Sequence, residues 1–395
     1  MTGFPALPPA RQCCGCAACH DACPRSAIRM IADPEGFARP VVDPARCIGC
    51  KRCEAACPVL ADAAPRTPLA VFAAKNKDET TRLASSSGGV FSLLAESVLV
   101  QGGAVYGAAF DRETGGVRHV RADAPDGLAP IRGSKYVQSD ACGTFRSART
   151  DLAGGIPVLF SGTPCQIAAL RRFLGKEASH PGLLTVETIC MGVSSPKAWK
   201  AYLRKRESER KSRVSGVSFR DKTAGWKRYS MALSFADGET TVRPARDDPY
   251  LKGMSARLFL RLSCSECRFR NLKSGADVTL GDFWNVHRTL PEMDDDIGTS
   301  LVLVNTQKGV AAMEKILSRC DWRESCFSEA TSVNPALVSS RPERGKRAQA
   351  LQALDGGDFD AIVERHCKLS FWEKTGKAVK KAGRRFSKIF SGDKP

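Results

Sequence analysis

Long apolar runs and histidine are scarce in this chain of 395 residues, and acidic residues are outnumbered by basic ones. No stretch approaches the roughly 20 apolar residues that a membrane-spanning helix needs. Only five histidines occur, and they are scattered, without a Ser-His-Asp or zinc-deaminase pattern. The opening residues MTGFPALPPARQ have neither a basic start nor a long apolar run. We therefore expect no signal peptide and a cytoplasmic, reducing location.

Acidic side chains number 42 against 60 Lys and Arg, which leaves a formal net charge of +18. A basic surplus favours acidic partners, such as anionic lipid, phosphate-bearing cofactors or an acidic carrier protein. Nucleic acid is not expected as a partner, because no aromatic-interleaved basic groove motif is present. No GxGxxG motif or P-loop follows a clear strand, so the sequence also lacks a dinucleotide-binding fingerprint.

Cysteine, by contrast, is abundant, with 17 residues. In a reducing compartment this number indicates metal ligands rather than disulfides. Two runs have the spacing Cys-x2-Cys-x2-Cys-x3-Cys-Pro of bacterial ferredoxins, in which three thiolates of a run bind one 4Fe-4S cluster and the fourth binds the other. The first cluster is thus assigned to Cys13, Cys16, Cys19 and Cys57, and the second cluster to Cys47, Cys50, Cys53 and Cys23. Structural zinc is the alternative, which two complete copies of the pattern disfavour.

The chain divides into three parts by composition. Residues 1–60 hold the two cysteine runs, and the Ala- and Pro-rich stretch 60–68 is predicted to be a linker. Residues 69–347, divided at about residue 150, alternate segments of helical and strand character, which favours an α/β or α+β fold. Among these segments, Pro196 to Arg210 is predicted to be a helix, and LLTVETIC, which ends at Cys190, and SMALSF are predicted to be strands. Residues 348–395 form a basic tail, in which four apolar positions at helical spacing fit a helix on anionic lipid. These positions are Val379, Phe386, Ile389 and Phe390. We expect peripheral contact with the inner membrane face; a frayed tail or a packed helix is the alternative.

Several motifs of the larger part occur in a characteristic order. They are SSSGGVFSLLAESVLVQGGAVYGAAF, IRGSKYVQSD, VLFSGTPCQIAAL, CMGVSSP, FRDKTAGW and LFLRLSCSECRFRNLKSGADVTLGDFW. Through them residues 70–347 resemble the coenzyme F-420 hydrogenase/dehydrogenase beta-subunit family, of which an N-terminal dicluster module is a common partner. The segment VNPALVSSRPERGK resembles members found beside bacterial surface-polysaccharide genes. The expected architecture is a small ferredoxin-like dicluster domain followed by a larger mixed-sheet flavin and iron–sulfur domain.

The resemblance implies a flavin, usually FAD, and a third 4Fe-4S cluster. Its ligands would be Cys165, Cys190, Cys264 and Cys267. Spacing alone supports only the CxxC pair Cys264 and Cys267, and the alternative is a redox thiol at Cys165 with three core cysteines. No chemistry is assigned to the remaining five, which are Cys14, Cys142, Cys320, Cys326 and Cys367.

The loop 85–89 is a candidate phosphate cradle, because glycines allow close approach of the backbone and free amides at a helix start attract anions. Its candidate cofactor-binding residues are Ser86, Ser87, Gly88 and Gly89. An ordinary capped turn is the alternative. Further candidates facing the flavin or substrate are Tyr136, Trp226 and Asp282, with Lys135 and Lys222 as catalytic candidates. A cation near a flavin stabilises the reduced anion, and an aromatic ring stacks on it. Each of these could instead be a surface lysine, a core aromatic or a turn aspartate.

Two functions follow from these features. The first is a flavin-dependent iron–sulfur oxidoreductase that passes electrons between 4Fe-4S clusters, FAD and an organic molecule. This molecule would be coenzyme F-420 or a glycan-related substrate of surface polysaccharide biosynthesis. The second is an electron-relay subunit without its own substrate site, which links ferredoxin or another redox protein to a partner enzyme. Bound flavin that turns over a small molecule would favour the first.

Overall fold

The computed structural model describes residues 3–343 and 345–367. The four apolar positions of the proposed membrane helix, Val379, Phe386, Ile389 and Phe390, lie outside the described residues. Within the described ranges, no helix is both long and apolar enough to cross a membrane.

The N-terminal module repeats one local structure around its two cysteine runs. Strands β1 (Ile28–Ala32) and β2 (Ala38–Val42) pair antiparallel between the runs. Helices α1 (Ala18–Ala22) and α2 (Arg52–Ala55) each carry the third cysteine of a run. Both helices stop just before a Cys-Pro pair, because proline disfavours helical backbone in the residue that precedes it. The module therefore presents both sets of thiols on short, similar turns.

The larger domain alternates helices and strands along the chain. Its strands are β3 (Ala70–Asn76), β4 (Ala104–Phe110), β5 (Val117–Ala122), β6 (Val158–Gly162), β7 (Leu183–Thr188), β8 (Val214–Asp221), β9 (Ser230–Phe235), β10 (Thr240–Pro244), β11 (Val278–Asp282), β12 (Ser300–Val304) and β13 (Cys320–Ser325). Its helices are α3 (Glu79–Leu83), α4 (Val90–Leu99), α5 (Thr144–Ala153), α6 (Pro164–Leu174), α7 (Pro196–Arg210), α8 (Pro249–Ser255), α9 (Leu262–Ser265), α10 (Gln307–Glu314), α11 (Phe327–Val333), α12 (Arg347–Ala353) and α13 (Phe359–Cys367).

A mixed sheet of eight strands forms the centre of the described part, in the order β13-β3-β12-β11-β7-β6-β4-β5. The inner neighbours β4, β6, β7 and β11 pair in parallel, and the other pairs are antiparallel. Side chains of β6 alternate between two cores: Val158 and Phe160 pack with α5 and α6, whereas Leu159 packs with α4. Helices thus cover both faces, as buried parallel strands require.

A second sheet of three antiparallel strands, β10-β9-β8, lies beside the main one. Its inner face packs on α7, α8 and α13 around an aromatic cluster that includes Trp199, Tyr202 and Tyr250, all fully buried. The predicted fold class, a small ferredoxin-like region followed by a larger mixed α/β domain, is confirmed. The main sheet takes strands from both sides of residue 150, so the two predicted halves of the larger domain share one sheet.

Candidate iron–sulfur and cofactor site

The two cysteine runs adopt the same unusual backbone. Gly15 and Ala17 of the first run have φ values of 67° and 66°, and Gly49 and Lys51 at the equivalent positions of the second run have 64° and 58°. Left-handed residues alternating with right-handed ones turn successive amide N–H groups to one side, which forms a concave site for anions. Both loops therefore have the backbone that directs amides toward the sulfur atoms of a cluster.

The thiols assigned to the first cluster lie together. Burial raises the pKa of the Cys19 thiol well above its ordinary value, and the neighbouring Cys13 and Cys57 thiolates raise it further. Burial likewise raises the pKa of Cys57, again with a contribution from Cys13. Cys16 interacts with the same group through Cys19 and Cys13. Four buried thiolates that repel one another are stable together only when cations bind them, so this set fits a metal cluster.

The second set surrounds a small cavity near the surface. Cys23, Cys47, Cys50 and Cys53 all line it. In the described part of the chain, no three Cys, His, Asp or Glu side chains are close enough to hold one metal ion together. The thiolates of a 4Fe-4S cube bind different irons and so lie farther apart than the ligands of a single ion.

Tertiary structure brings four distant cysteines into a third group. Cys165 begins α6, Cys190 follows the end of β7, and Cys264 and Cys267 lie on and just after α9. The Cys165 thiolate interacts with each of the other three, and Cys190 and Cys267 both interact with Cys264. Only the pair Cys264 and Cys267 was recognisable from its spacing in the sequence, because Cys165 and Cys190 lie on separate elements. The group fits a third cluster, although its occupancy stays a prediction.

Cys14, to which the sequence analysis assigned no chemistry, lies between the first and third groups. Its thiol shares hydrogen bonds with Cys16 and with Cys165. The first of these bonds, together with burial, raises the pKa of Cys14 well above its ordinary value. The N-terminal module therefore contacts the larger domain at the point where both groups of thiols meet.

A cavity of about 370 Å³ opens beside these cysteines, which is within the ordinary size of a small-molecule site. The parallel strands β6, β7 and β11 end at it with Gly162, Thr188 and Asp282. Ligands of open α/β sheets bind beyond the carboxyl ends of the strands. Cys14, Cys16, Cys165 and Cys190 also line this cavity. A bound molecule would thus lie against both the first and the third group of thiols.

The loop 85–89 forms one wall of the cavity at the N-terminus of α4. Ser86, Ser87 and Gly89 line the wall, and Ser86 Oγ accepts a hydrogen bond of 2.7 Å from the amide of Ser134. Gly88 instead faces the sheet, where a Cβ would lie 2.3 Å from the carbonyl oxygen of Ala74. Its glycine is therefore explained by strand packing. The Ser87 hydroxyl donates to the carbonyl of Thr299 at 2.8 Å, which leaves Ser86 and Gly89 for an anionic group.

The two lysine candidates are both engaged with backbone carbonyls. Lys135 lines the cavity, but its Nζ donates to the carbonyls of Pro130, Ile131, Arg132 and Gly133. Lys222 lies behind the loop 85–89 and donates to the carbonyls of Arg82, Ser87 and Ile297. Burial lowers the pKa of each lysine to about 7. Both side chains hold loops in place, and a catalytic role for either stays a prediction.

Arg220 was not a candidate from the sequence, but its side chain hydrogen-bonds to two of the remaining candidates. Its guanidinium donates to Asp282 at 2.8 Å and to the Tyr136 hydroxyl at 3.2 Å. Trp226 lies behind this group, stacks on Trp284 with ring centroids 4.9 Å apart, and donates to Asp282. Burial alone would lower the pKa of Arg220, but the carboxylate of Asp282 raises it above its ordinary value. A fixed ion pair of Arg220 and Asp282 therefore lies in the cavity wall, and FRDK in the sequence was the signal for its arginine.

Family models match parts of both the N-terminal module and the larger domain. Residues 157–324 match the family model that describes the C-terminal part of the beta chain of coenzyme F-420 hydrogenase/dehydrogenase. Two models of 4Fe-4S dicluster domains match residues 12–61 and 39–94. Among solved structures, the F-420-reducing nickel–iron hydrogenase complex of Methanosarcina barkeri contains a similar chain, with 16% identity, a TM-score of 0.49, and coverage of 69% of this chain and 90% of that one. No protein of curated function matches. The predicted resemblance is confirmed: segments similar to 4Fe-4S dicluster domains precede a segment similar to the C-terminal part of the coenzyme F-420 hydrogenase/dehydrogenase beta subunit.

Proposed function

We propose that this chain is a flavin-dependent iron–sulfur oxidoreductase, with FAD in the large cavity and coenzyme F-420 or a glycan-related molecule as its organic partner. When bound, the clusters carry single electrons and the flavin exchanges them for two-electron chemistry. The observation that carries the proposal is that one cavity is lined by thiols of both the first and the third group. A ligand there lies at the end of a path of cysteine-bound sites.

The cavity wall offers groups that fit a flavin with its phosphates. The N-terminus of α4 and the hydroxyl of Ser86 supply donors for an anion, whereas the hydroxyl of Ser87 donates to the carbonyl of Thr299. Arg220 lies over the rings of Tyr229 and Trp284, at 4.1 and 5.0 Å from their centroids, and keeps its positive charge beside Asp282. In this arrangement the chain would bind the phosphates at one wall and place the carboxylate-paired guanidinium of Arg220 at another.

The second group of cysteines lies nearest the surface and would hold the cluster that faces an external electron donor. Cys50 is exposed, and Ile48 beside it is 54% exposed. Arg25 and Lys51 line the same small cavity with exposed side chains. An apolar spot with a basic rim complements an acidic redox protein such as ferredoxin. We place this exchange in the cytoplasm.

Anaerobic purification and reconstitution, followed by iron, sulfide and flavin counts, tests the proposal. We expect about twelve irons, from three four-iron clusters, and about one flavin per chain. Eight irons would remove the third cluster, and iron without flavin would favour the relay function. Mixing the dithionite-reduced protein with coenzyme F-420 then decides the organic partner, since bleaching of the coenzyme is expected and an unchanged spectrum excludes it.

A further inference from the structure

Arg261 is a buried cation at the junction of the N-terminal module and the larger domain. It is 1% exposed, and no carboxylate pairs with it within the described ranges 3–343 and 345–367. Its Nε donates to the carbonyl of Cys13 at 2.8 Å, and one Nη donates to the Gln138 side chain at 2.7 Å. The other Nη donates to the carbonyl of Ala38 at 3.0 Å. Neutral acceptors thus surround a full positive charge.

A charge buried without a counter-ion is costly, so the surroundings of Arg261 call for an anion. The nearest groups able to carry negative charge are thiolates, because Nη2 lies 3.8 Å from Sγ of Cys13. Arg39 provides a contrast on the same loop. It also donates to the carbonyl of Cys13, at 3.0 Å, but its charge is paired with Asp33 at 2.8 Å. Of these two arginines, only Arg261 has no carboxylate partner among the described residues, so its positive charge can act on the first cluster.

The backbone of Arg261 also ties it to the third group of thiols. Its amide donates to the carbonyl of Val193, and its carbonyl accepts from the amide of Cys264 at the start of α9, both at 3.0 Å. A single residue therefore contacts a ligand of the first cluster through its side chain and positions a cysteine of the third group through its backbone.

Gln138 and Gly15 fix the guanidinium in place. The amide group of Gln138 accepts from Arg261 and donates to the carbonyls of Cys14 and Gly15, each at 3.2 Å. A Cβ on Gly15 would lie 2.5 Å from Gln138 Nε2 and 2.6 Å from Arg261 Nη1. Glycine is thus needed at this position for the cluster loop to approach both side chains.

We propose that Arg261 is a positioning residue that raises the reduction potential of the first cluster. The inference rests on the proposed function, in that the N-terminal cysteines must hold clusters. Reduction adds one electron from an external donor to the cluster, no bond forms or breaks, and Arg261 keeps its proton. The added negative charge is stabilised by a nearby desolvated cation and by an N–H donor to the ligand sulfur, and both effects favour the reduced state.

Potentiometric titration of the reconstituted full chain, followed by electron paramagnetic resonance, tests this proposal. The Cys50→Ala variant, which loses a ligand of the second cluster alone, and the Cys267→Ala variant, which loses a thiol of the third group alone, together identify the signal of each cluster. In Arg261→Gln we expect the first cluster to become at least tenfold harder to reduce, which corresponds to about 59 mV for one electron. Arg39→Gln is the matched control, and its shift should be well below tenfold.

Two further variants keep the test decisive if Arg261→Gln loses iron. Arg261→Lys retains the charge and should lie between the wild type and Arg261→Gln. Gln138→Glu leaves the arginine in place but gives it a carboxylate partner, so it should lower the potential of the first cluster in the same direction. Unchanged first-cluster potentials in iron-replete Arg261→Gln or Gln138→Glu would overturn the inference. A wild-type protein without iron would instead overturn the proposed function.

Discussion

Lys222, a catalytic candidate from the sequence, binds backbone carbonyl groups in the structure. Its ammonium group donates to three carbonyls that lie on separate segments, at 2.7 to 2.8 Å. One of these carbonyls belongs to Ser87 in the cavity wall. The sequence made this lysine a candidate because a cation in its motif could lie near a flavin, but a motif cannot tell whether a cation faces the ligand or the loop that surrounds it.

Replacing Lys222 should therefore mainly lower the stability of the fold, rather than remove a catalytic group. In Lys222→Met three buried acceptors lose their donor, and we expect a loss of about 3 kcal/mol in the free energy of unfolding. Flavin content should fall as the loop 85–89 loosens. Lys227→Met is the control, because that lysine is 43% exposed and pairs with Asp294; a surface pair contributes about 1 kcal/mol or less. Equal thermal midpoints for the two variants would contradict the assignment.

His119 gives a pH dependence at the same scale. Burial lowers its pKa to about 4, whereas an unfolded chain protonates histidine near 6.5. Between these values the unfolded state binds the extra proton, so the stability of the fold decreases as the pH falls from about 6.5 to about 4. Across this window the loss from His119 is at most about 3 kcal/mol.

The variant His119→Phe isolates this contribution, since a phenyl ring can keep the stacking on Phe160, now at 5.5 Å between centroids. We expect its thermal midpoint to fall less than that of the wild type between pH 7.5 and pH 5.5. Parallel decreases in both proteins would show that other groups account for the acid sensitivity.

At the scale of elements, local patterns placed most helices and strands correctly. The predicted helix from Pro196 to Arg210 coincides with α7, and the predicted strand SMALSF coincides with β9. The strand predicted to reach Cys190 ends earlier, as β7 stops at Thr188. The chain leaves the sheet there because the residues beyond it turn into the cavity wall. The periodicity of the sequence predicted the strand, whereas the position of its last residue depends on where the chain turns into the cavity wall.

Gly88 tests how the loop 85–89 is joined to the sheet. In Gly88→Ala the new methyl group would meet the Ala74 carbonyl oxygen at 2.3 Å and the Ser300 amide nitrogen at 2.6 Å. We expect α4 to separate from the strands, with a loss of about 3 kcal/mol or more in stability. Gly154→Ala is the control, because the nearest atom lies at 3.4 Å and φ is ordinary. Similar urea midpoints for both variants would contradict this explanation.

At the scale of the whole molecule, the N-terminal module completes a helix of the larger domain. Asp21 in α1 accepts from the amides of Gly143, Phe145 and Arg146 at the start of α5, at 2.7 to 3.4 Å. The N-cap residue of α5, Gly143, has no side chain to satisfy these donors. A carboxylate at a helix N-terminus is also favoured by the helix dipole. Docking of the module and stability of α5 are therefore linked.

The substitution Asp21→Ala should weaken this docking by about 2 kcal/mol. We expect faster cleavage of the linker 60–68 in limited proteolysis, with cluster content unchanged. Asp62→Ala serves as the control, since the Asp62 side chain is 93% exposed in the linker. If both variants are cleaved at the wild-type rate, Asp21 does not hold the modules together.

The sequence by itself determined the two N-terminal clusters, because a cluster loop takes three ligands from seven consecutive residues and their spacing is visible in the chain. It also determined the alternation of elements, and through several motifs the type of the larger domain. Only the tertiary structure decided which distant residues meet. Three contacts join segments far apart in sequence: the third group of cysteines, the carboxylate of Asp282 beside Arg220, and Arg261 beside Cys13. Such contacts depend on how the sheet orders its strands and on where the N-terminal module docks, and no local pattern encodes either.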